Sequence, residues 1–469
     1  MNDISNNIKK VLFIFLIFFL ILISYITYFE LYTAPKIVLN NLNKRIWAQR
    51  NEVLRGTIYD RNQRPLTKSE RVNTLTQKRE YTGGEAFAHV LGYLDPTYGI
   101  TGLEKTYDSQ LMKDDTSISK MFSFNNVKEE KIGRDLITTI DMKLQKKAYE
   151  LLGDNLGSVV ILNPKTGEVL AMVSKPSFDP NNLAKNWSSL ISDKRNTPLL
   201  NRAVSGLYPP GSTFKVITAL SSLENLNGVR DKSFEDNGKL VFNSKQSLSN
   251  FEGETLGTLS FKDAFVHSSN VVFGGLGLQL GSDKLKATAE KFYFNKSIPC
   301  DGIIIDNSRF PLYKRNETGN IAQSAIGQSG VLASPMEMAL VASTIANGGV
   351  MMKPYLVNKV ITNKGNTVKQ TSPEPIATVA SKEEANYMKD LMRAVVTSGT
   401  GTAADVSGLD VCGKTGTAEN SINGKQAAAH SWFIAFAPYD DPKIAISVIV
   451  ENGGQGGGLA ANIAAQLIK

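Results

Sequence analysis

An uncharged run near the amino terminus constrains this chain more than any other feature of its sequence. From Val11 to Phe29 it carries no charged residue and consists mainly of Ile, Leu and Phe. A helix over this run, at about 1.5 Å per residue, is long enough to cross the hydrocarbon core of a bilayer. Lys9 and Lys10 precede it, and positive flanks stay in the cytoplasm. The sequence therefore predicts a membrane anchor, with everything from Glu30 onward outside the cytoplasmic membrane.

A secretory signal peptide is the alternative interpretation of this run. The apolar region of a signal peptide usually spans about 7 to 15 residues and is followed by a small-residue cleavage site. The run here is longer and lacks a convincing site of that kind. We therefore expect an uncleaved anchor.

The rest of the chain divides into a small polar part and a larger mixed part. A length of 469 residues favours two domains, and a hydrophobic content of 42% is ordinary for a globular protein. The expected organisation is a cytoplasmic tail at 1–10, the anchor at 11–29, a polar domain at 30–155 that holds the remainder off the membrane, and a second domain at 156–469.

The second domain mixes strand and helix patterns. Terminal strands that pair around a helical insert predict an α/β sheet flanked by helices, with an all-helical lobe beside it and a cleft between the two. Strands are expected at 158–162, 168–173, 411–418, 432–437 and 444–450. Helices are expected at 142–152, 213–223, 261–265, 271–280, 335–346, 382–397 and 459–468.

The net charge of +8 raises the question of an anionic partner. The chain lacks the interleaved Arg and aromatic patches of a nucleic-acid binder, and its expected location also argues against nucleic acid. A basic surface facing anionic lipid and wall polymers and a solvated surface without a partner remain equally compatible with this charge.

The segment Tyr208-Pro209-Pro210-Gly211-Ser212-Thr213-Phe214-Lys215 carries the clearest chemical pattern. Apolar residues recur behind it at helical spacing, so Ser212 lies in the first turn of a helix and Lys215 projects from the same face. A Lys that is partly desolvated can lose its proton and accept that of a nearby hydroxyl. The helix start also directs unpaired backbone N–H groups toward a developing oxyanion.

Two further motifs follow in order. Ser268-Ser269-Asn270 lies between a short helix and an apolar one, a turn that can direct polar side chains into a cleft, although Ser and Asn also occur there as helix caps. Lys414-Thr415-Gly416-Thr417 lies on a predicted strand, where Gly416 would allow a substrate backbone to approach closely. The order S-x-x-K, S-x-N, K-T-G is the motif set of serine penicillin-binding proteins and β-lactamases.

The chain resembles class B penicillin-binding proteins, in a short form, over nearly its whole length after residue 50. The motifs Arg55-Gly56-Thr57-Ile58-Tyr59-Asp60-Arg61 and Gly102-Leu103-Glu104-Lys105-Thr106-Tyr107-Asp108 are similar to the pedestal domain of that family. The run Gly157 to Met172 is similar to the first hairpin of its catalytic domain. Ala325 to Gln328 and His430 to Pro438 also match in order. The fold of that family is the α/β architecture expected above.

The resemblance implies a peptidoglycan D,D-transpeptidase that needs no cofactor. Ser212 would be the nucleophile and Lys215 its base, Ser268 would relay a proton, and Asn270 would hold the substrate amide. Lys414 would supply positive charge, with Thr415, Gly416 and Thr417 binding substrate and the N–H groups of Ser212 and Thr417 forming an oxyanion hole. Implied partners are stem peptides ending in D-Ala-D-Ala, β-lactam antibiotics, and a polytopic glycan polymerase in the same membrane.

Other functions use the same motifs. A serine β-lactamase or a D-alanyl-D-alanine carboxypeptidase is the enzyme alternative, but we find no E-x-x-L-N type segment between Asn270 and Lys414 to activate water. A β-lactam sensor or an inert cell-wall scaffold is the alternative without catalysis, which three intact motifs disfavour. The histidines His89, His267 and His430 form no recognisable triad with an acid.

The two cysteines leave three alternatives open. Cys412 precedes Lys414 by two residues and so shares its strand face, while Asp301 adjoins Cys300 and His267 adjoins Ser268. A zinc site formed by Cys300, Asp301, Cys412 and His267 is therefore one hypothesis. Two buried free thiols and a disulfide are the others, and no C-x-x-C spacing supports the metal.

Overall fold

A computed structural model of the chain describes residues 2–33, 47, 50–73, 76–115, 130–244, 246–422 and 425–469. Its helices are α1 (Asn2–Tyr28), α2 (Ala88–Leu91), α3 (Gly102–Thr106), α4 (Asp108–Leu111), α5 (Met142–Leu152), α6 (Leu183–Ser192), α7 (Arg202–Ser205), α8 (Lys215–Asn225), α9 (Phe261–Val266), α10 (Asn270–Lys291), α11 (Thr318–Ser324), α12 (Pro335–Ala346), α13 (Lys382–Ser398) and α14 (Leu459–Ile468). Its strands are β1 (Ile58–Tyr59), β2 (Lys68–Asn73), β3 (Thr76–Glu80), β4 (Leu94–Asp95), β5 (Gly99–Ile100), β6 (Asp135–Thr138), β7 (Gly157–Leu162), β8 (Val169–Lys175), β9 (Ser233–Asp236), β10 (Lys239–Asn243), β11 (Gln246–Ser249), β12 (Gly257–Ser260), β13 (Val350–Met352), β14 (Val357–Ile361), β15 (Thr367–Gln370), β16 (Pro375–Thr378), β17 (Cys412–Ile422), β18 (Lys425–Ala437) and β19 (Ile444–Val450).

The amino-terminal helix has the length and composition of a single membrane span. Helix α1 continues into a π-helical turn at Phe29–Thr33, and the apolar span covers Asn6–Thr33. Its large apolar side chains are exposed, as expected of a surface that faces lipid.

An antiparallel five-stranded sheet forms the centre of the larger domain, in the order β17-β18-β19-β7-β8. All five of its strands are the ones expected from the sequence. Alternate residues of each strand face opposite sides: Val159 and Ile161 of β7 pack with helices α5 and α14, whereas Val160 and Leu162 pack toward α12. The sheet is thus buried on both faces, and the predicted α/β fold is confirmed.

The lobe beside the sheet is formed mainly by α8, α9, α10, α11 and α13. Helix α10 extends beyond its predicted end at residue 280, and its backbone leaves helical geometry at Gly281, where φ is 75°. The lobe also carries two short antiparallel pairs that the sequence analysis did not predict, β9 with β12 and β10 with β11.

The polar part of the chain shares a sheet with the larger domain. Strand β1 pairs in parallel with β6, and β6 pairs antiparallel with β14, which is followed by β15. The two pedestal motifs meet in a buried ion pair, in which Arg55 Nε lies 2.5 Å from Glu104 Oε2. Arg55 Nη1 also lies 2.6 Å from Asp108 Oδ1.

Helix α12 begins with a buried carboxyl group. Ser334 caps the helix by accepting the N–H of Glu337 at 3.1 Å. The Glu337 side chain is fully buried, and neither carboxylate oxygen has a hydrogen-bond partner of ordinary geometry among the described residues. Burial raises the pKa of Glu337 to about 8, a rise that the nearby Ser308 hydroxyl opposes only in part. The carboxyl group is therefore protonated in the folded protein at neutral pH.

Glu337→Gln is expected to stabilise the protein more at pH 8 than at pH 5. An unfolded Glu ionises near its ordinary pKa of 4.5, whereas the folded one keeps its proton up to about pH 8. The raised pKa lowers the free energy of unfolding of the wild type. This loss of stability is absent below the pKa of the unfolded state, grows between the two pKa values and is complete above the pKa of the folded state. Thermal melting of the variant and of Glu150→Gln, an exposed change on α5, at both pH values checks this. An equal gain at both pH values would contradict it.

Candidate active site

Ser212 lies on a tightly held turn at the start of a helix, as the sequence predicts. A 3₁₀ turn at Gly211–Phe214 contains it and runs directly into α8. Trp432 Nε1 donates to the carbonyl of Pro209 at 3.0 Å, and Gly211 N donates to the carbonyl of Gly327 at 3.1 Å. These bonds attach the turn to the sheet on one side and to the segment after α11 on the other.

Lys215 is fully buried behind this turn. Its Nζ donates to the Ser268 carbonyl at 2.6 Å, to Asn270 Oδ1 at 2.7 Å and to Ser268 Oγ at 3.2 Å. Burial lowers the pKa of Lys215 well below its usual range, and the charge of Lys414 lowers it further, while Asp236 acts in the opposite sense. The amine is therefore disposed to be neutral and to accept a proton.

Lys414 approaches the Ser268 hydroxyl, which Lys215 also contacts, from the side of the sheet. Its Nζ lies 2.9 Å from Ser268 Oγ, and burial lowers the pKa of Lys414 to about 7. Ser268 has a φ of 59°, in the left-handed region that a Ser rarely adopts. Such a backbone persists where its surroundings hold it, and here it places one hydroxyl between two buried amines.

The K-T-G-T segment lies on β17, as predicted, and forms one wall of a cleft. The cavity there has a volume of about 960 Å³, and its lining includes Ser212, Ser268, Asn270, Thr415 and Thr417. The Oγ1 atoms of Thr415 and Thr400 are 2.6 Å apart. The Oγ1 atom of Thr417 accepts the N–H of Gly456 at 3.2 Å.

Gly416 faces the turn that carries Ser212. A Cβ added at Gly416 would lie 2.8 Å from Thr213 Cγ2 and 2.9 Å from the carbonyl of Pro210. A glycine here is expected to admit a substrate backbone, but the neighbour that occupies the space beside Gly416 is the turn that carries Ser212. The missing side chain lets the strand and the turn approach each other.

Three polar residues near the site were missed by the sequence analysis: Asp236, Asn250 and Thr400. The carboxylate of Asp236 accepts a hydrogen bond from Ser269 Oγ at 2.6 Å, and Asn250 Oδ1 accepts the N–H of Asn270 at 2.8 Å. Ser269 is also the N-cap of α10, so the helix-capping role expected of a serine at this turn belongs to Ser269. Ser268 contacts the two lysines instead. The only sequence signal was a turn-like Asp-Asn-Gly at 236–238, which indicates no function.

The hypothesis of a zinc site at Cys300, Asp301, Cys412 and His267 is not supported by the structure. Among the residues that it describes, no group of three or more His, Cys, Asp or Glu side chains could hold a metal ion. Cys300 Sγ donates to the carbonyl of Ile303, and Asp301 accepts the hydroxyl of Tyr107.

The other two residues of the hypothetical site, His267 and Cys412, lie in different surroundings from each other. His267 is exposed at the cleft, and Cys412 is buried at the start of β17, where burial raises its pKa to about 12. Both cysteines are free thiols, so the structure contains no disulfide between them. Cys412 and Lys414 do lie on the same strand, two residues apart, as inferred. That local relation carries no information about the position of Cys300, which is distant in sequence.

Comparison with known families agrees with this geometry. Residues 157–469 match the penicillin binding protein transpeptidase domain, and residues 55–132 match the penicillin binding protein A dimerisation domain. The chain belongs to the penicillin-binding protein transpeptidase family.

Relatives in this family are similar over almost the full chain. The peptidoglycan D,D-transpeptidase PbpA of Mycolicibacterium smegmatis is 34% identical over 98% of this chain and 97% of its own. The penicillin G acyl-enzyme of penicillin-binding protein A from M. tuberculosis is 31% identical, covers 89% of this chain and 99% of that one, and superposes with a TM-score of 0.81. The D,D-transpeptidase domain of a peptidoglycan glycosyltransferase from Eggerthella lenta is 33% identical, covers 89% of this chain and 98% of that one, and has a TM-score of 0.79.

Gly416→Ala is expected to slow acylation of the site by a β-lactam by about 100-fold, since a shift of roughly 1 Å in a reacting group can cost that much. The new Cβ would push the strand away from the turn that carries Ser212. Gly275→Ala on α10 is the matched control, because a Cβ there would meet nothing within 4 Å. The rate of covalent labelling by a fluorescent penicillin measures both. Labelling of Gly416→Ala at the control's rate would contradict the close approach.

Proposed function

We propose that this chain is a peptidoglycan D,D-transpeptidase that cross-links stem peptides through an acyl-enzyme on Ser212. The observation that carries the proposal is the single hydroxyl of Ser268 held between the buried amines of Lys215 and Lys414, in the cleft that Ser212 lines. Relatives that are named D,D-transpeptidases, or solved as β-lactam acyl-enzymes, support the same activity for this chain.

In the first half-reaction Ser212 Oγ attacks the carbonyl carbon of the penultimate D-alanine, and neutral Lys215 accepts the hydroxyl proton. The N–H groups of Ser212 and Thr417 would stabilise the tetrahedral oxyanion. As this intermediate collapses, the C–N bond breaks. Ser268 delivers its proton to the departing amine of D-alanine and is reprotonated by Lys215, which returns to its neutral form. An ester on Ser212 results.

In the second half-reaction the amine of a neighbouring stem peptide attacks this ester. Its excess proton passes through the Ser268 and Lys215 pair back to Ser212 Oγ as the C–O bond breaks. The product is a new amide between two stem peptides, and the enzyme regains its starting protonation. A β-lactam would acylate Ser212 in the same way, but without a leaving group that diffuses away.

The remaining site residues would bind the substrate. The hydroxyl groups of Thr415 and Thr417 lie in the cleft beside the positive charge that Lys414 can carry, a suitable setting for the terminal carboxylate. Asn270 uses Oδ1 on Lys215 and one N–H on the Ser249 carbonyl, and its second N–H would donate to the substrate amide. Gly416 would act by keeping the strand close to the nucleophile turn.

The placement of the chain in the cell belongs to the same proposal. Residues 1–10 would be cytoplasmic, 11–29 would cross the membrane, 30–155 would form the pedestal and 156–469 the transpeptidase domain outside. A polytopic glycan polymerase in the same membrane would supply uncross-linked glycan strands. We propose no role in nucleic-acid binding and no catalytic cofactor.

Ser212→Ala is expected to abolish covalent labelling by penicillin while the melting temperature stays near that of the wild type, because the change removes one hydroxyl. Lys215→Ala should acylate at least about 100-fold more slowly, the lower end of what a positioned general base contributes. Mass spectrometry of the intact chain, followed over hours, measures both.

Each competing function gives a different result in that experiment. An adduct on the wild-type chain that persists for hours supports a transpeptidase, and one that hydrolyses within minutes supports a β-lactamase. Release of D-alanine from a stem peptide without a cross-linked product supports a carboxypeptidase. An unlabelled wild-type chain removes the enzymatic proposal and leaves a scaffold. Residual labelling of Ser212→Ala would show that the nucleophile lies elsewhere.

We expect the carboxyl terminus to lie outside the cytoplasm. A reporter enzyme that works only outside the cytoplasm should therefore be active when it is fused after Lys469, and one that works only inside should be inactive. Lys9 and Lys10 before the apolar span favour this orientation. External protease should likewise remove the folded part of the chain from intact spheroplasts. A fusion active only in the cytoplasm, with the chain protected from protease, would reverse the topology.

A further inference from the structure

A buried hydrogen-bond cluster lies behind the Ser268 to Asn270 turn and is not used in the steps above. Its centre is the carboxylate of Asp236, at the end of β9, which is fully buried. Asn250 Nδ2 lies 2.8 Å from each of the two carboxylate oxygens and donates to them. The carboxylate also accepts hydrogen bonds from Ser269 Oγ at 2.6 Å and from Gly238 N at 2.8 Å. A buried carboxylate with this many donors is held in one orientation.

Asn250 connects this carboxylate to the first turn of α10. Its Oδ1 accepts the backbone N–H of Asn270 at 2.8 Å and that of Val271 at 3.2 Å, while its Nδ2 donates to Asp236. Those two N–H groups are among the donors that a helix start leaves without a partner in the helix. Asn250 thereby fixes the position of Asn270, whose side chain accepts from Lys215.

The same segment forms part of the cleft wall. The lining includes Ser247, Leu248, Ser249, Asn250 and Phe251, which lie on β11 and directly after it. Asn270 Nδ2 also donates to the carbonyl of Ser249. The wall that a substrate would touch and the turn that contacts Lys215 are therefore joined through one asparagine.

We propose that Asp236 and Asn250 are positioning residues for acylation, which hold the Ser268 to Asn270 turn against Lys215. The inference rests on the proposed function, since it assigns these residues to the proton transfer at Ser212. Neither residue reaches the reacting atoms, and both act through the turn. Asp236 has a second effect through its charge, because a buried anion near an amine favours the charged ammonium form.

The groups around Lys215 determine the sign of that charge effect. Lys414 on β17 lowers the pKa of Lys215 and Asp236 on β9 raises it, while Phe273 of α10 contributes an aromatic ring 5.7 Å from Nζ. The uncharged Ser268 and Asn270 accept the hydrogen bonds of Lys215 Nζ. Removing the charge of Asp236 should therefore lower the pKa of Lys215 and make it neutral at lower pH.

The test is the pH profile of acylation by a fluorescent penicillin, measured on the full chain in detergent from pH 5 to 10. Rates are normalised to the number of sites that can be labelled, so that a loss of folded protein does not count as a loss of rate. Asp236→Asn should move the acid limb of the profile to lower pH by about half a unit or more. Its plateau rate should fall about ten-fold or more, because one amide now faces the Asn250 amide.

Asn250→Ala should lower the plateau by about ten-fold or more without moving the acid limb down, because the charge of Asp236 remains. The matched controls are Glu235→Gln, the exposed neighbouring carboxylate on β9, and Asn243→Ala on the same hairpin as Asn250. Both controls should keep the wild-type profile. His267, Glu252, Glu254 and Glu419 also line the cleft, and they are common to every variant.

The smaller change Ser269→Ala covers the case in which the two main variants do not fold. It removes one bond to Asp236 and should slow acylation per site, and Ser269→Thr, which keeps the hydroxyl, should restore most of the rate. Wild-type profiles for Asp236→Asn or Asn250→Ala would overturn the inference, as would a lower melting temperature with an unchanged rate per site. A wild-type rate for Ser269→Ala would also overturn it. A wild-type chain that penicillin does not label would instead refute the proposed function itself.

Discussion

Two amines share one hydroxyl in the interior of this protein, and the rest of the site is arranged around that contact. Lys215 and Lys414 are both fully buried, with their Nζ atoms 3.2 and 2.9 Å from Ser268 Oγ. Burial lowers the pKa of both amines, and the charge of Lys414 lowers that of Lys215 further, so loss of a proton from Lys215 is favoured. Packing can thus supply the base that we propose for Ser212, without a histidine.

This contact requires that three separate parts of the fold be held in register. Lys215 comes from α8, Ser268 from the turn between α9 and α10, and Lys414 from β17. Glycines allow the parts to approach, since a Cβ at Gly211 would lie 2.6 Å from the Thr417 carbonyl and one at Gly327 would lie 2.3 Å from the Gly211 carbonyl. The five-stranded sheet supplies the fixed frame, because its two faces are both covered by helices.

The parts of the structure that could be predicted are those set by local pattern. The helix that follows Ser212, the strand that carries Lys414 and the turn at Ser268 each follow from hydrophobic periodicity and motif spacing, and the order of the motifs joins them into one site. Asp236 and Asn250 could not be predicted, because the side-chain contacts that join them to the turn before α10 leave no pattern in the sequence. The structure likewise does not support the zinc hypothesis, because adjacency in sequence and a shared strand face do not determine where Cys300 lies.

Asp301, one of the four residues of the zinc hypothesis, has a structural role. It accepts the hydroxyl of Tyr107 at 2.7 Å and lies 3.2 Å from Lys369 Nζ, so it connects the second pedestal motif to strand β15. Strand β14 pairs with β6 in the same region, and the proposed boundary at residue 155 is therefore crossed by a sheet. The polar part could not form that sheet alone, since β6 would lack its antiparallel neighbour. Hydrophobic periodicity does not reveal long-range strand pairing of this type, and the polar part depends for its own fold on strands from the larger domain.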